Sequence, residues 1–213
     1  MSYDTIIFDL DGTISDPSLG IVRSANFALE SLGYETVEGS KVRPLIGPPL
    51  QELLGELAGD VSGKTMNQLI ARYRERYAST GYAENELYDG VQDVISELSK
   101  RGHRLGVCTS KRTDFAEKIL NMFGLSDYFG FVDGGDIGIE KTEQLAGLVG
   151  NGLKPATAVM IGGRAVDILA ARANEIRSVG VLWGFGEQHE RSRACPDYVV
   201  ETPADLPGLF GES

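Results

Sequence analysis

The sequence predicts an α/β fold: a doubly wound parallel sheet carrying a small all-helical domain inserted after its first strand. Three observations predict it. Short apolar runs bounded by turn residues recur along the chain, amphipathic helical periods separate most of them, and between 17 and 84 the strand signal disappears. Strands that alternate with helices pair in parallel through right-handed crossovers, and such a sheet is covered on both faces.

The run 4–10, DTIIFDL, reads as a buried first strand that ends on the acidic pair Asp9 and Asp11. Helical periods follow. LGIVRSANFALESLG places Ile21, Val22, Ala25, Phe27, Ala28, Leu29 and Leu32 on a broad apolar stripe, and MNQLIARYRERY repeats it with Met66, Leu69, Ile70, Tyr73 and Tyr77. Between them RPLIGPPLQELLGEL opens on proline and glycine, which predicts a turn before a short helix starting near Pro49. After 84 the alternation resumes. VQDVISELSKRG carries Val91, Val94, Ile95 and Leu98 on one face and closes at Gly102. Strands are predicted at 104–110, 129–132, 158–162, 177–182 and 197–200. TDFAEKILNMFG, with Thr113 as N-cap and Gly124 as terminator, KTEQLAGLVG and RAVDILAARANE supply the helices between them. This divides the chain into a Rossmann-like core, 1–16 and 85–213, and a helical domain, 17–84.

Composition sets the functional bounds. A chain of 213 residues with 42% hydrophobic and 24% charged residues is an ordinary globular sequence, long enough for one core domain and a smaller insertion. A net charge of −11 argues against a nucleic acid polymer or an anionic membrane surface as partner, because the long-range field repels both. No apolar run approaches the roughly 18 residues a membrane helix needs, and the start MSYDTIIFDL has neither basic leader nor small-residue cleavage site, so a cytoplasmic protein is expected. Cys108 and Cys195 lack the dense spacing of a disulfide framework and read as free thiols, Cys108 as a small core residue. The sequence leaves monomer and dimer both open.

Open α/β sheets bind ligands at the carboxyl ends of their strands. There the predicted topology collects Asp9 and Asp11, then Thr109 and Ser110, then Lys141 at the start of a helix, then Gly162, Gly163 and Asp167. Burying an unpaired carboxylate costs several kcal/mol, roughly, so an acidic pair at a buried strand end needs a compensating cation or a chemical use. Carboxylates, a hydroxyl and an ammonium together suit a divalent cation and a phosphoryl group, since hard oxygens hold Mg²⁺ while Lys and Thr hold phosphate oxygens.

These strings resemble a known family. DLDGT after an apolar strand, a hydroxyl residue ending the next strand, a later lysine and an IG-x-x-x-x-D segment resemble the motifs of the haloacid dehalogenase superfamily of phosphohydrolases, over the whole chain. The helical insert resembles that superfamily's cap domain, and IGPPLQE, YRERY and GVLWGFG are similar to the subgroup of phosphoglycolate phosphatases and 5'-nucleotidase-like relatives. The resemblance implies a Mg²⁺-dependent phosphatase acting on a small phosphorylated metabolite or nucleotide through an aspartyl-phosphate. Asp9 would be the nucleophile and Asp11 the acid and base, with Asp9, Asp11 and Asp167 around the metal. Gly12 would turn the backbone so that amide hydrogens face phosphate, with Thr109, Ser110 and Lys141 holding its oxygens. Members that attack carbon–halogen bonds lack the second aspartate, so Asp11 favours phosphate chemistry. The loop 45–51 and Arg43 are expected to reach the leaving group.

The sequence departs from the family at one place. MIGGRAVD has Gly163 where members carry a metal-binding aspartate, and keeps only Asp167; Asp133 and Asp136 are the candidate replacements. Two further readings follow, a catalytically weakened phosphate-ligand binding protein and a phosphomutase.

Overall fold

The structure, a computed structural model, describes residues 3–135, 138–186 and 188–211, with the side chains of 188 and 191 excepted. Its centre is β1 (Thr5–Phe8), four residues all buried, because a central strand covered on both faces has no solvent side to carry polar residues. Ile6 and Phe8 point into one apolar cluster and Ile7 into another, as the alternation of a strand requires.

The chain leaves the sheet through β2 (Ser15–Asp16), then runs through α1 (Ser18–Ser31), α2 (Gly39–Val42), α3 (Leu50–Ala58) and α4 (Gly63–Ser79). It returns through β3 (Glu86–Leu87), which pairs antiparallel with β2, so the outgoing and incoming segments are tied together. Alternation follows: α5 (Val91–Lys100), β4 (Arg104–Thr109), α6 (Thr113–Met122), β5 (Phe129–Gly134), α7 (Lys141–Gly150), β6 (Ala158–Gly162), α8 (Ala165–Ala173), β7 (Arg177–Val181), α9 (Gln188–Ala194) and β8 (Tyr198–Val200).

The sheet order is β5-β4-β1-β6-β7-β8, with every pair parallel. The direction of winding reverses at β1: the chain builds β4 and β5 on one side of it, then β6, β7 and β8 on the other. A crevice opens outside the carboxyl end of such a switch-point strand. Helices α5 and α6 cover one face, with Val94, Ile95, Leu98 and Ile119 against Ile6, Phe8 and Val107. Helices α7 and α8 cover the other, with Leu145, Ala170 and Ala171 against Ile7, Cys108 and Met160. A third cluster unites α1, α3 and α4 through Ile21, Ala25, Leu29, Leu54, Leu69, Tyr73 and Tyr77, and takes in Phe115 of α6.

The predicted strands and long helices lie where their apolar periods put them, within one or two residues at most ends. The N-cap of α6 differs: Arg112 takes that place, and Thr113 is the first helical residue, its hydroxyl directed at the Gly134 carbonyl at 3.5 Å. The sequence gives no warning of α2, β2, β3 or α9, because elements of two to seven residues are too short to show a period. No described helix is long and apolar enough to cross a membrane.

Candidate active site

Two lysines organise the crevice. Lys141, the first residue of α7, stands where the helix dipole disfavours a cation, and two carboxylates offset that cost. Its ammonium donates to Asp9 Oδ1 at 2.8 Å and to Asp167 Oδ1 at short range, and all three side chains are buried. Asp9 directly follows β1, anchored by its N–H to the Ile161 carbonyl at 2.9 Å. Asp167 folds back from the first turn of α8, where its Oδ2 accepts the Arg164 N–H at 3.0 Å. Only glycine at 162 permits this, since a Cβ there would lie 2.2 Å from Asp167 Oδ2. The trio carries a net charge of −1 inside the protein. Burial therefore pushes the Asp167 carboxyl up to about 6 against the pull of Lys141, with Asp9 adding to the rise. For Lys141 burial opposes the ammonium, but Asp167 and Asp9 outweigh it and hold its pKa above the ordinary value.

The second lysine, Lys111, joins the sheet to the helical layer. Its ammonium lies 2.9 Å from Asp11 Oδ2 and 2.7 Å from the Tyr77 hydroxyl, and 4.6 Å from the centre of the Tyr77 ring. Tyr77 comes from α4, so this one side chain spans core carboxylate and helical layer. Asp11 Oδ1 is buried with no hydrogen-bond partner among the described residues. Burial raises the Asp11 carboxyl above its usual range; Lys111 draws it down and Asp9 pushes it up.

At the end of β4 the Thr109 hydroxyl accepts the Lys111 N–H at 3.2 Å, which turns the chain and aims Lys111. Gln144, one helical turn beyond Lys141, donates its amide to the Thr109 carbonyl at 3.2 Å and to Asp133 Oδ1 at 3.1 Å, so β4, β5 and α7 hold one another. Above them Arg164 holds the helical layer. One guanidinium nitrogen donates to the carbonyls of Pro44, at 2.9 Å, and Ile46, while Nε donates to Glu190 at 3.0 Å. The same Glu190 oxygen accepts the Ala165 N–H at 2.8 Å, capping α8. Gly47, at φ +124°, lets the loop rest against Arg164, because a Cβ would stand 3.0 Å from Arg164 Cγ.

Asp9, Asp11, Thr109 and Ser110 line one cavity, with Lys141 behind Asp9. Gly12 does not offer its amide there: at φ +84° it turns the chain, and its N–H donates to the Ser15 carbonyl at 2.8 Å. Arg43 is also elsewhere. It binds Asp16 at 3.2 Å and Ser18 at 3.0 Å and lies over the Phe185 ring, outside the cavity lining, because the acidic entry to α1 is the nearer partner. Asp167 spends both oxygens on Lys141 and Arg164 and does not line the cavity. Asp133 is engaged by Gln144, and Asp136 lies outside the described residues. Gly163 is buried, and a Cβ there would lie 3.2 Å from the Gly12 carbonyl.

No cluster of three or more His, Cys, Asp or Glu suited to a metal occurs among the described residues. The donor set still fits Mg²⁺, which keeps several waters and is commonly held by one or two carboxylates plus substrate phosphate; the orphaned Asp11 Oδ1 beside Asp9 is such a pair. Sequence reasoning missed Lys111, Gln144, Arg164 and the cavity-lining Arg74. Two of these had a positional signal: Lys111 follows the strand-end hydroxyls, and Gln144 shares the Lys141 face one turn on.

With this geometry established, comparison with known proteins gives one family. The model of the haloacid dehalogenase-like hydrolases matches residues 6–181. A Pseudomonas aeruginosa protein named 5'-nucleotidase is 35% identical over 98% of this chain and 95% of its own length. A Mycobacterium tuberculosis protein named tyrosine-protein kinase PtkA is 37% identical over 87% of this chain, which spans 64% of that relative. A Vibrio parahaemolyticus phosphoglycolate phosphatase is 30% identical over 94% of this chain and 93% of its own. The crystal structure of a predicted phosphatase from Clostridium acetobutylicum superposes with a TM-score of 0.91 at 31% identity, covering 98% of each chain. The chain belongs to the haloacid dehalogenase-like hydrolases, among the phosphatases of that family.

Proposed function

We propose that the protein hydrolyses a small phosphomonoester through an aspartyl-phosphate, with the helical segment 17–84 acting as a cap over the substrate. The observation that carries this reading is the convergence, at the carboxyl ends of β1 and β4, of Asp9, Asp11 and Thr109 with the ammonium of Lys141 behind them.

Lys141 holds one oxygen of Asp9 and leaves the other to attack phosphorus in line. A bond forms from Asp9 to phosphorus, the bond to the ester oxygen breaks, and Asp11 gives its proton to the departing alkoxide. Water then attacks the aspartyl-phosphate, Asp11 takes a proton from it, and Asp9 is regenerated as inorganic phosphate leaves. An acid that must donate near neutrality needs a raised pKa, and burial of Asp11 works in that direction. Thr109 is placed to donate to a phosphoryl oxygen, and Ser110 stands beside it. Mg²⁺, when bound, supplies neutralisation of phosphoryl charge, and Asp9 with Asp11 Oδ1 would hold it. The cap excludes bulk water while the acyl phosphate exists.

Release of p-nitrophenol from p-nitrophenyl phosphate, with and without Mg²⁺, tests the reading. Metal-dependent turnover lost in Asp9→Asn supports it. Binding of phosphate esters without turnover, which Gly163 in the place of a ligand favours, would assign the protein to the phosphate-binding class instead.

A further inference from the structure

We infer that the leaving group accepted by this site is neutral and apolar: the substrate is the phosphate ester of a hydrocarbon-like alcohol, not one whose alcohol carries a carboxylate. This rests on the phosphatase reading and narrows it. On the cap side the cavity wall includes the apolar run Ile46, Pro48, Pro49, Leu50 and Leu53, beside Tyr73, Arg74 and Tyr77 of α4, and it is continued by Phe115 from the core. A leaving group attached to a phosphorus near Asp9 projects toward these side chains. Hydrocarbon gains by leaving water there, whereas a carboxylate loses its hydration without a replacement.

A carboxylate is accepted best by a cation, and each cation lining the cavity already has a partner. Lys111 is shared between Asp11 and the Tyr77 hydroxyl. Arg112 binds Asp114 through two nitrogens, at 3.0 and 2.9 Å, and lies over Phe115. Arg74 has a partner as well. Recruiting Lys111 would strip the half-buried Asp11 of its compensating charge, which costs more than breaking a fully exposed surface pair would. Tyr77 offers a nucleobase no open platform either. Tyr77 is stacked on Tyr73 at 5.5 Å, met edge-on by Phe115 at 5.2 Å and covered by the Lys111 ammonium.

The test compares kcat/KM for n-butyl phosphate with that for 3-(phosphonooxy)propanoate, phosphoglycolate and adenosine 5'-monophosphate, reading inorganic phosphate from the full chain. Butyl phosphate should be used at least about tenfold more efficiently than each, since one misplaced group in an apolar pocket is worth roughly 10- to 200-fold. In Leu50→Lys, which adds a cation to the wall, the preference over 3-(phosphonooxy)propanoate should shrink or reverse. Equal or better use of the carboxylate esters or the nucleotide by the wild type overturns the inference and leaves the phosphatase reading standing. Phosphate release from none of the four, nor from p-nitrophenyl phosphate, overturns both.

Discussion

Lys141 and Lys111 both hold an aspartate of the same motif, but they belong to different mechanical parts of the molecule. Lys141 sits between two core carboxylates, Asp9 and Asp167, on elements that share one hydrophobic cluster and sheet. Lys111 sits between a core carboxylate and a tyrosine of the helical layer. The first centre has both of its carboxylate partners within the core. The second is complete only where α4 lies against the core, so in the proposed mechanism the nucleophile would be held by the scaffold and the acid–base residue by the helical layer.

The largest expected effect separates the two. Lys141→Met leaves two buried carboxylates without a cation, and should abolish detectable turnover and lower the unfolding free energy by about 3–5 kcal/mol in urea titration. Lys111→Met should reduce kcat by roughly 10- to 100-fold with a smaller stability loss, because Asp11 is partly in reach of solvent. If both variants lose equal stability, the contrast between a scaffold lysine and a closure lysine is wrong.

Gly163→Asp sharpens the same contrast from the metal side. A carboxylate added at 163 should tighten Mg²⁺ by about 10- to 100-fold, read from the Mg²⁺ dependence of turnover and from Mn²⁺ binding followed by electron paramagnetic resonance. Identical affinity in both proteins would mean that Asp9 and Asp11 already suffice.

One part of the pH dependence of stability, the part lost in Asp167→Asn, reports on the Lys141 trio. Asp167 titrates near 6 in the folded protein against an ordinary 3.8, so the folded state holds this proton more tightly. The stabilisation is complete below the lower value and is lost as pH rises through the higher one. Relative to Asp167→Asn, the wild type should lose on the order of 1–3 kcal/mol between pH 4 and 7. A constant difference across that range would place the excess proton elsewhere. The smallest effect is expected of Tyr77→Phe, which removes one hydroxyl from Lys111 and keeps the ring; a two- to fivefold drop in kcat, roughly, with unchanged stability, would mark the hydroxyl as a closure sensor.

Much of the fold is legible in the sequence because its signals are local. DTIIFDL, RLGVCTS and AVMIG are apolar runs that only buried strands accommodate, and each helix between them states its face in its own spacing. Asp9, Asp11, Thr109 and Lys141 could be placed together because each stands at a strand end or helix start, where topology alone fixes position. The remainder depends on tertiary neighbours. Lys111 looks like any solvated lysine until Tyr77, 34 residues earlier, is brought over it. Arg43 is drawn to Asp16 by a turn whose geometry no periodicity encodes. His103, in a polar stretch, is nonetheless buried, with Nδ1 2.7 Å from the Tyr3 carbonyl and its ring against Phe210.

Arg164 grips the start of the cavity wall by main-chain oxygens, those of Pro44 and Ile46, rather than by side chains. In the proposed function, substitutions of side chains in that wall would alter which alcohol is accepted without removing the main-chain contacts that dock it. On that reading substrate choice and cap attachment would be mutationally separable, which makes 48–53 a natural region to diversify when a new specificity is sought.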